Sequence, residues 1–283
     1  MRLLNPRSRS QRLGMALLLA ALAFELWSKP ALVLAEKDTL TLLIQPILGE
    51  EQTRQAYQPL TDYLEGVTGR KCVIMTQPNF ISYWNTLRKT DSYDLVLDAA
   101  HFTDYRAQKY GFKVLAKIPD TVSYSLIVPE DKLIFDPSEL VGRTVATLGP
   151  PSIGAARLSA MFPNPVRQPT IIEVASSEEG MELVVSGRVH AAILPTPLVS
   201  QQMARSGGIT VVMTTEPIPH IALSAAPRLN GALRDKIKSA MLEADKTDAG
   251  KKMLKGIGFP RFDPATPAVY TGQARILRDY WGY

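Results

Sequence analysis

The chain has 283 residues, with 32 Lys and Arg against 27 Asp and Glu, three histidines and a single cysteine. The first 35 residues hold five of the basic side chains and one of the acidic, which leaves 27 against 26. A balance that even offers no field to nucleic acid or an anionic membrane. Cys72, with no second cysteine to pair with, excludes a disulfide scaffold and reads as a buried strand residue in the apolar run 72–75.

A basic start (Arg2, Arg7, Arg9, Arg12) precedes an apolar run over 13–24, and Val33-Leu34-Ala35 follows. This is the pattern of a secretory signal, with cleavage expected after Ala35 and a soluble, periplasmic product. The run is about a dozen residues against the ~20 needed to cross a bilayer, so an uncleaved anchor is the alternative. The remaining 248 residues are enough for two lobes with separate cores.

From Leu40 onward, short β-like runs alternate with helical stretches, the pattern of an α/β fold on mostly parallel sheets flanked by helices. Strands are expected at 40–45, 73–76, 95–99 and 114–118. Helices are expected at 51–65, 81–89 and 103–110; in the first, Ala56, Leu60, Tyr63 and Leu64 share one face. A long β run, 123–129, then leads into a second series, with strands at 144–148, 171–175, 191–194 and 210–214. Its helices are 152–161, 178–186 and 198–205. A second extended segment, 218–226, is followed by helices at 231–244, 249–256 and 268–280.

Two extended segments that bracket a complete α/β block predict one lobe inserted into another. Lobe one is then 36–122 and 223–283, lobe two 125–219, and the crossing segments near 123–129 and 218–226 form a hinge. Open α/β sheets bind ligands beyond the carboxyl ends of their strands, so the strand-to-helix loops of two facing sheets should line a cleft.

Several segments carry a resemblance in their order and spacing. They are Tyr57-Gln58-Pro59-Leu60-Thr61-Asp62-Tyr63-Leu64-Glu65, Tyr83 with Leu87-Arg88, Tyr93-Asp94-Leu95-Val96, and Ser123-Tyr124-Ser125-Leu126-Ile127-Val128. Leu140-Val141-Gly142-Arg143-Thr144-Val145-Ala146, Ser186-Gly187-Arg188-Val189-His190-Ala191-Ala192 and Ile218-Pro219-His220 follow. Together they resemble the periplasmic phosphate/phosphonate-binding proteins of ABC importers over nearly all of residues 40–280. The resemblance implies a two-lobed type II periplasmic-binding-protein fold, a small-molecule ligand and an inner-membrane transporter as partner, with the protein itself a monomer.

The ligand loops depart from that family. Its anion loop, of the form Asp-Pro-x-Ser-Thr-Ser-Gly, corresponds here to Gly149-Pro150-Pro151-Ser152-Ile153-Gly154, which keeps one hydroxyl and replaces donors with prolines. The family's histidine corresponds to Ser177, and the aspartates that hold an amino group fall near His190 and Pro195. A less charged ligand is therefore expected.

The candidate contacts are Ser152, Ile153 and Gly154 in that loop, Ser177 at the next helix start, and Gln45 and Ile47 after the first strand. Tyr83, His101, Phe102 and Tyr124 would supply aromatic walls, with Ser125 and Thr196 beside them. Helix capping explains Ser152 equally well and is the favoured reading of Ser176-Ser177-Glu178-Glu179, and a place in a lobe core explains Phe102. His101, His190 and His220 are far apart, and no metal-ligand spacing, nucleophile elbow or glycine-rich phosphate loop occurs. No catalytic residue, metal or cofactor is expected. Two alternatives remain open: a periplasmic carrier of an apolar lipid or sterol-like molecule, and a ligand sensor for a membrane signalling protein.

Overall fold

The computed structural model describes residues 38–280 and 283, so the expected signal segment lies outside the described residues. The first strand, β1 (Thr39–Ile44), is apolar on both faces: Leu40, Leu42 and Ile44 point one way, Leu43 the other, and all are buried. A strand of that composition belongs inside a sheet covered by helices on both sides. It pairs in parallel with β2 (Lys71–Met75) and β3 (Leu95–Asp98), and the connecting helices are α1 (Glu50–Thr68) and α2 (Phe80–Leu87). Helix α3 (Ala100–Tyr110) and strand β4 (Lys113–Lys117) follow.

The chain then crosses through β5 (Thr121–Val122) and enters β6 (Tyr124–Pro129). Next come β7 (Thr144–Leu148), α4 (Ile153–Met161), β8 (Thr170–Val174), α5 (Ser177–Val185), β9 (Ala191–Pro195), α6 (Thr196–Arg205) and β10 (Ile209–Thr214). It crosses again through β11 (Ile218–Pro219) into β12 (Ala222–Ala225), then α7 (Gly231–Leu242), α8 (Asp248–Ile257) and the short β13 (Asp263–Pro264).

The six-stranded sheet has the order β13-β4-β12-β3-β1-β2 and the five-stranded one β10-β6-β9-β7-β8. Strands β1 to β4 run one way in the first sheet and β7 to β10 one way in the second, but β12 lies antiparallel between β3 and β4, and β6 antiparallel between β9 and β10. Strands joined through a helix return in the same direction, whereas β6 and β12 are entered directly from a crossing, without a helix to reverse the chain. The expected helix over 268–280 is also replaced, by two 3-10 turns, Pro267–Tyr270 and Gln273–Leu277. Gly272 between them takes φ 88°, which ends any continuous helix there. The second turn lies on α3, where the Ala274 N–H donates to Asp104 Oδ2 at 2.8 Å.

One buried ion pair fixes the carboxyl end of β3. Arg106 of α3 holds both oxygens of Asp98, with Nη2 at 2.6 Å from Oδ1, and both side chains are wholly buried. The Tyr83 hydroxyl of α2 donates to Asp98 Oδ2 at 2.6 Å and Thr103 Oγ1 to Oδ1 at 3.2 Å. Two helices are thereby tied to the strand end from which the cleft loops leave. Losing one partner would strand the other charge in the interior, so Arg106→Met is expected to lower unfolding stability by about 3–5 kcal/mol in urea titration. An unchanged midpoint would show that the pair does not hold this end of the sheet.

Candidate functional site

The crossings pair with each other, Ile218 opposite Val122 and Pro219 opposite Thr121. Against this ribbon lies a cavity of about 420 Å³, within the usual range of small-molecule sites. Ile44, Gln45, Ile47 and Leu48 line it from the exit of β1, and Leu97 and Ala99 from the exit of β3. Val122, Tyr124 and the run Ile218 to Ile221 come from the crossings. Pro195, Pro197, Leu198 and Gln201 come from the β9–α6 junction, Ser177 and Glu178 from the start of α5, and Tyr57, Ile257, Gly258 and Phe259 from α1 and the end of α8. Close packing of α8 on α1 sets the last group: a methyl on Gly256 would stand 2.7 Å from Pro59 Cγ. Among the described residues, no lysine or arginine lines the cavity.

The positions that would serve an anion are occupied by the protein itself. At the start of α4, Ser152 Oγ donates to the Leu148 carbonyl at 2.6 Å and accepts from the Ala155 N–H at 3.2 Å. That is a helix cap, and the side chain is buried. Pro150 and Pro151 have no N–H to offer. The Pro151 carbonyl accepts instead from His101 Nε2, 3.0 Å away at the start of α3. At the start of α5, the Ser177 N–H donates to the Ile47 carbonyl at 3.0 Å. Both helix starts thus face groups from the six-stranded side.

The two histidines near the cleft add no positive charge. A carbonyl only accepts, so the His101 proton sits on Nε2, and Nδ1 is buried without a partner among the described residues. Burial pushes this imidazole down to about 3, against a smaller upward pull from the Pro151 carbonyl. His220 Nδ1 accepts from the Ile221 N–H at 2.8 Å, and burial, with Lys117 adding to it, pushes that ring down to about 4. Tyr270 holds the same turn by donating its hydroxyl to the His220 carbonyl at 3.0 Å.

Residues 42–270 match the family model described as the periplasmic substrate-binding protein of phosphonate ABC transporters. The chain belongs to this family. Its members are periplasmic and bring a small ligand to a membrane transporter, which sets this chain among transport proteins. Solved structures agree on the two-lobed fold. PhnD1 of Prochlorococcus marinus in complex with methylphosphonate is 16% identical, with TM-score 0.73 over 85% of this chain and 97% of that one. A binding-protein component of a phosphonate ABC transporter from Pseudomonas aeruginosa is 13% identical, with TM-score 0.71 over 82% and 83%. A Xanthomonas citri protein bound to ATP is 16% identical, with TM-score 0.68 over 85% and 98%. No curated protein matches the chain.

Of the residues singled out in the sequence, Gln45, Ile47, Tyr124 and Ser177 meet at the cavity of this family member. The others lie elsewhere. Tyr83 is inside α2, fully buried against Asp98, and Phe102 stacks on Phe80 at a centroid distance of 6.1 Å and packs tilted against Tyr83 at 5.2 Å. Both belong to the aromatic core of their lobe. His101 acts through its contact with Pro151, and Ser152 as a cap. Ser125 Oγ lies 2.9 Å from Thr196 Oγ1 and 3.1 Å from Thr214 Oγ1, a hydroxyl cluster that ties β6 to α6 and β10. Ile153 borders a smaller cavity beside Ile276, and a methyl on Gly154 would stand 2.9 Å from Thr147 Oγ1, so this glycine seats α4 on its sheet. His190 is at the far end of β9 from Pro195, bonded to Thr144 Oγ1 at 2.8 Å.

Sequence reading missed Tyr57, Glu178, Leu198, Gln201, Phe259 and the run Ile218 to Ile221 as wall residues. The crossing run could have been found, because segments that pass between two sheets border the space between them; Phe259 carried no such signal.

His101 gives the fold a pH dependence. Above pH 6.5 the ring is neutral folded or unfolded, and stability is at its full value. As pH falls from 6.5 toward about 3, the unfolded chain takes up a proton that the buried ring refuses, and stability is lost. Urea midpoints measured from pH 7 to 4 should fall, and less steeply in His101→Gln. Equal slopes in the two proteins would show that other groups carry the loss.

Proposed function

We propose that this substrate-binding protein takes up a neutral, largely apolar small molecule between its lobes and hands it to an inner-membrane transporter. The observation that carries the reading is the absence of lysine and arginine from the cavity wall among the described residues. A buried phosphonate dianion without cations needs many donors, and the Ser177 N–H and the His101 ring are already engaged within the protein. What remains toward the ligand is mostly aliphatic and aromatic surface, with a few neutral polar atoms and the Glu178 carboxylate. The same reading takes the protein as a monomer that binds without catalysis.

The lobes in this proposal are 36–122 with 223–283 and 125–219, turning about the crossings near 123–129 and 218–226. Membership of β1 to β4, β12 and β13 in one sheet, and of β6 to β10 in the other, supports the division. The mature chain is taken to begin at Glu36, which an intact mass of the exported protein checks.

Methylphosphonate and phosphate are expected to bind more weakly than about 100 μM, roughly 5.5 kcal/mol, by calorimetry. The neutral dye N-phenyl-1-naphthylamine is expected to bind with a rise in fluorescence, and Leu198→Asp, which puts a charge in the apolar wall, to weaken it at least about ten-fold. Sub-micromolar binding of methylphosphonate together with no dye binding would contradict the proposal.

A further inference from the structure

Ser177 and Glu178 open α5, and both line the cavity. Ser177 is 1% exposed, and among the described residues its Oγ meets no hydrogen-bond partner. Oε2 of Glu178 is likewise buried and unpartnered. Folded proteins rarely leave such atoms unpaired, because desolvation without a bond is costly.

Capping does not account for them. The cap of α5 is made by their neighbours: Ser176 Oγ accepts from the Glu179 N–H at 3.1 Å, and Glu179 Oε2 accepts from the Ala175 N–H at 2.7 Å. Nor does an ion pair, since no lysine or arginine shares the cavity wall among the described residues. Two adjacent polar side chains therefore face a largely apolar cavity, each with one atom that no described residue satisfies.

We propose that Ser177 and Glu178 recognise a hydroxyl group on the ligand, which makes the substrate class an apolar alcohol. The inference rests on the apolar reading of the cavity given above. A carboxylate oxygen only accepts, whereas a serine hydroxyl both donates and accepts. A ligand hydroxyl donates to Glu178 Oε2 while accepting from Ser177 Oγ, so both atoms are satisfied by one group. An ether cannot donate, a ligand carboxylate would meet Glu178 as a like charge, and an ammonium, though it can donate to both atoms, leaves the Ser177 proton without an acceptor. A site built this way discriminates strongly, because the wrong ligand leaves its polar atoms unpaired.

Four twelve-carbon probes test this by displacement of N-phenyl-1-naphthylamine: 1-dodecanol, dodecyl methyl ether, dodecylamine and dodecanoate. In the native sequence 1-dodecanol should compete at least about ten-fold better than the other three. In a Ser177→Ala, Glu178→Leu double variant the preference for alcohol over ether should shrink to about two-fold or less, with the ether competing as well as before or better. Glu178→Gln, nearly isosteric, gives the same comparison if the double variant fails to fold, and there a partial loss of preference is expected. Dye binding with the four probes equal or inert, or with the amine or carboxylate tightest, overturns the hydroxyl site and leaves the apolar cavity standing. Absence of dye binding overturns the reading of the cavity, and this inference with it.

Discussion

The pairing of two short strands, β5 with β11, is the constraint on which the rest of the structure depends. Each crossing enters its next sheet without a helix, so β6 and β12 become the antiparallel members that join each sheet to the crossing ribbon. Because the crossings are paired, the two sheets must meet near the same ribbon, and the space beside it becomes the cavity. Further hydrogen bonds hold this junction: the Thr215 N–H donates to the Tyr124 carbonyl at 2.8 Å, the Thr196 N–H to the Ser123 carbonyl at 2.9 Å, and the Ile118 N–H to the Ile221 carbonyl at 3.0 Å. The wall residues Val122, Tyr124, Ile218 and Ile221 are thus fixed by backbone pairing as much as by their own packing.

The second feature that governs function is how the protein uses its own polar groups. Helix starts and histidines commonly bind anions. Here a proline carbonyl takes the His101 proton, and the Ile47 carbonyl takes the N–H at the start of α5. Contacts that could have held a phosphorus oxyanion instead join groups from the two sides of the cleft. The interior left over is apolar, and two neutral histidines do nothing to change its charge. Family membership fixes the transport role, and the departures in a few loops are what the proposed change of cargo rests on.

Much of this was legible in the sequence. The alternation of strands and helices located nearly every element, because most strands are apolar runs and most helices have one apolar face. Sheet direction was not legible: nothing in the residues 222–225 says that they insert between β3 and β4. The replacement of the helix at 268–280 by 3-10 turns was signalled only by Gly272. At the site, the degenerate anion loop was visible as Pro150-Pro151 with a single serine. Tyr83 and Phe102 were harder, since an aromatic near a loop end reads the same whether it faces a cleft or a core. In retrospect Phe80, Tyr83, Trp84 and Leu87 recur at the spacing of one helical face, and all four are buried. The contributions of Tyr57 and Phe259 depend on how α8 packs on α1, which no local pattern encodes.

Native mass spectrometry of the protein recovered from the periplasm tests the central claim most directly, since whatever it has captured there comes with it. The account predicts an adduct that extracts into organic solvent as a neutral molecule without phosphorus. A phosphorus-containing anion, recovered in stoichiometric amount and retained through purification, would contradict it.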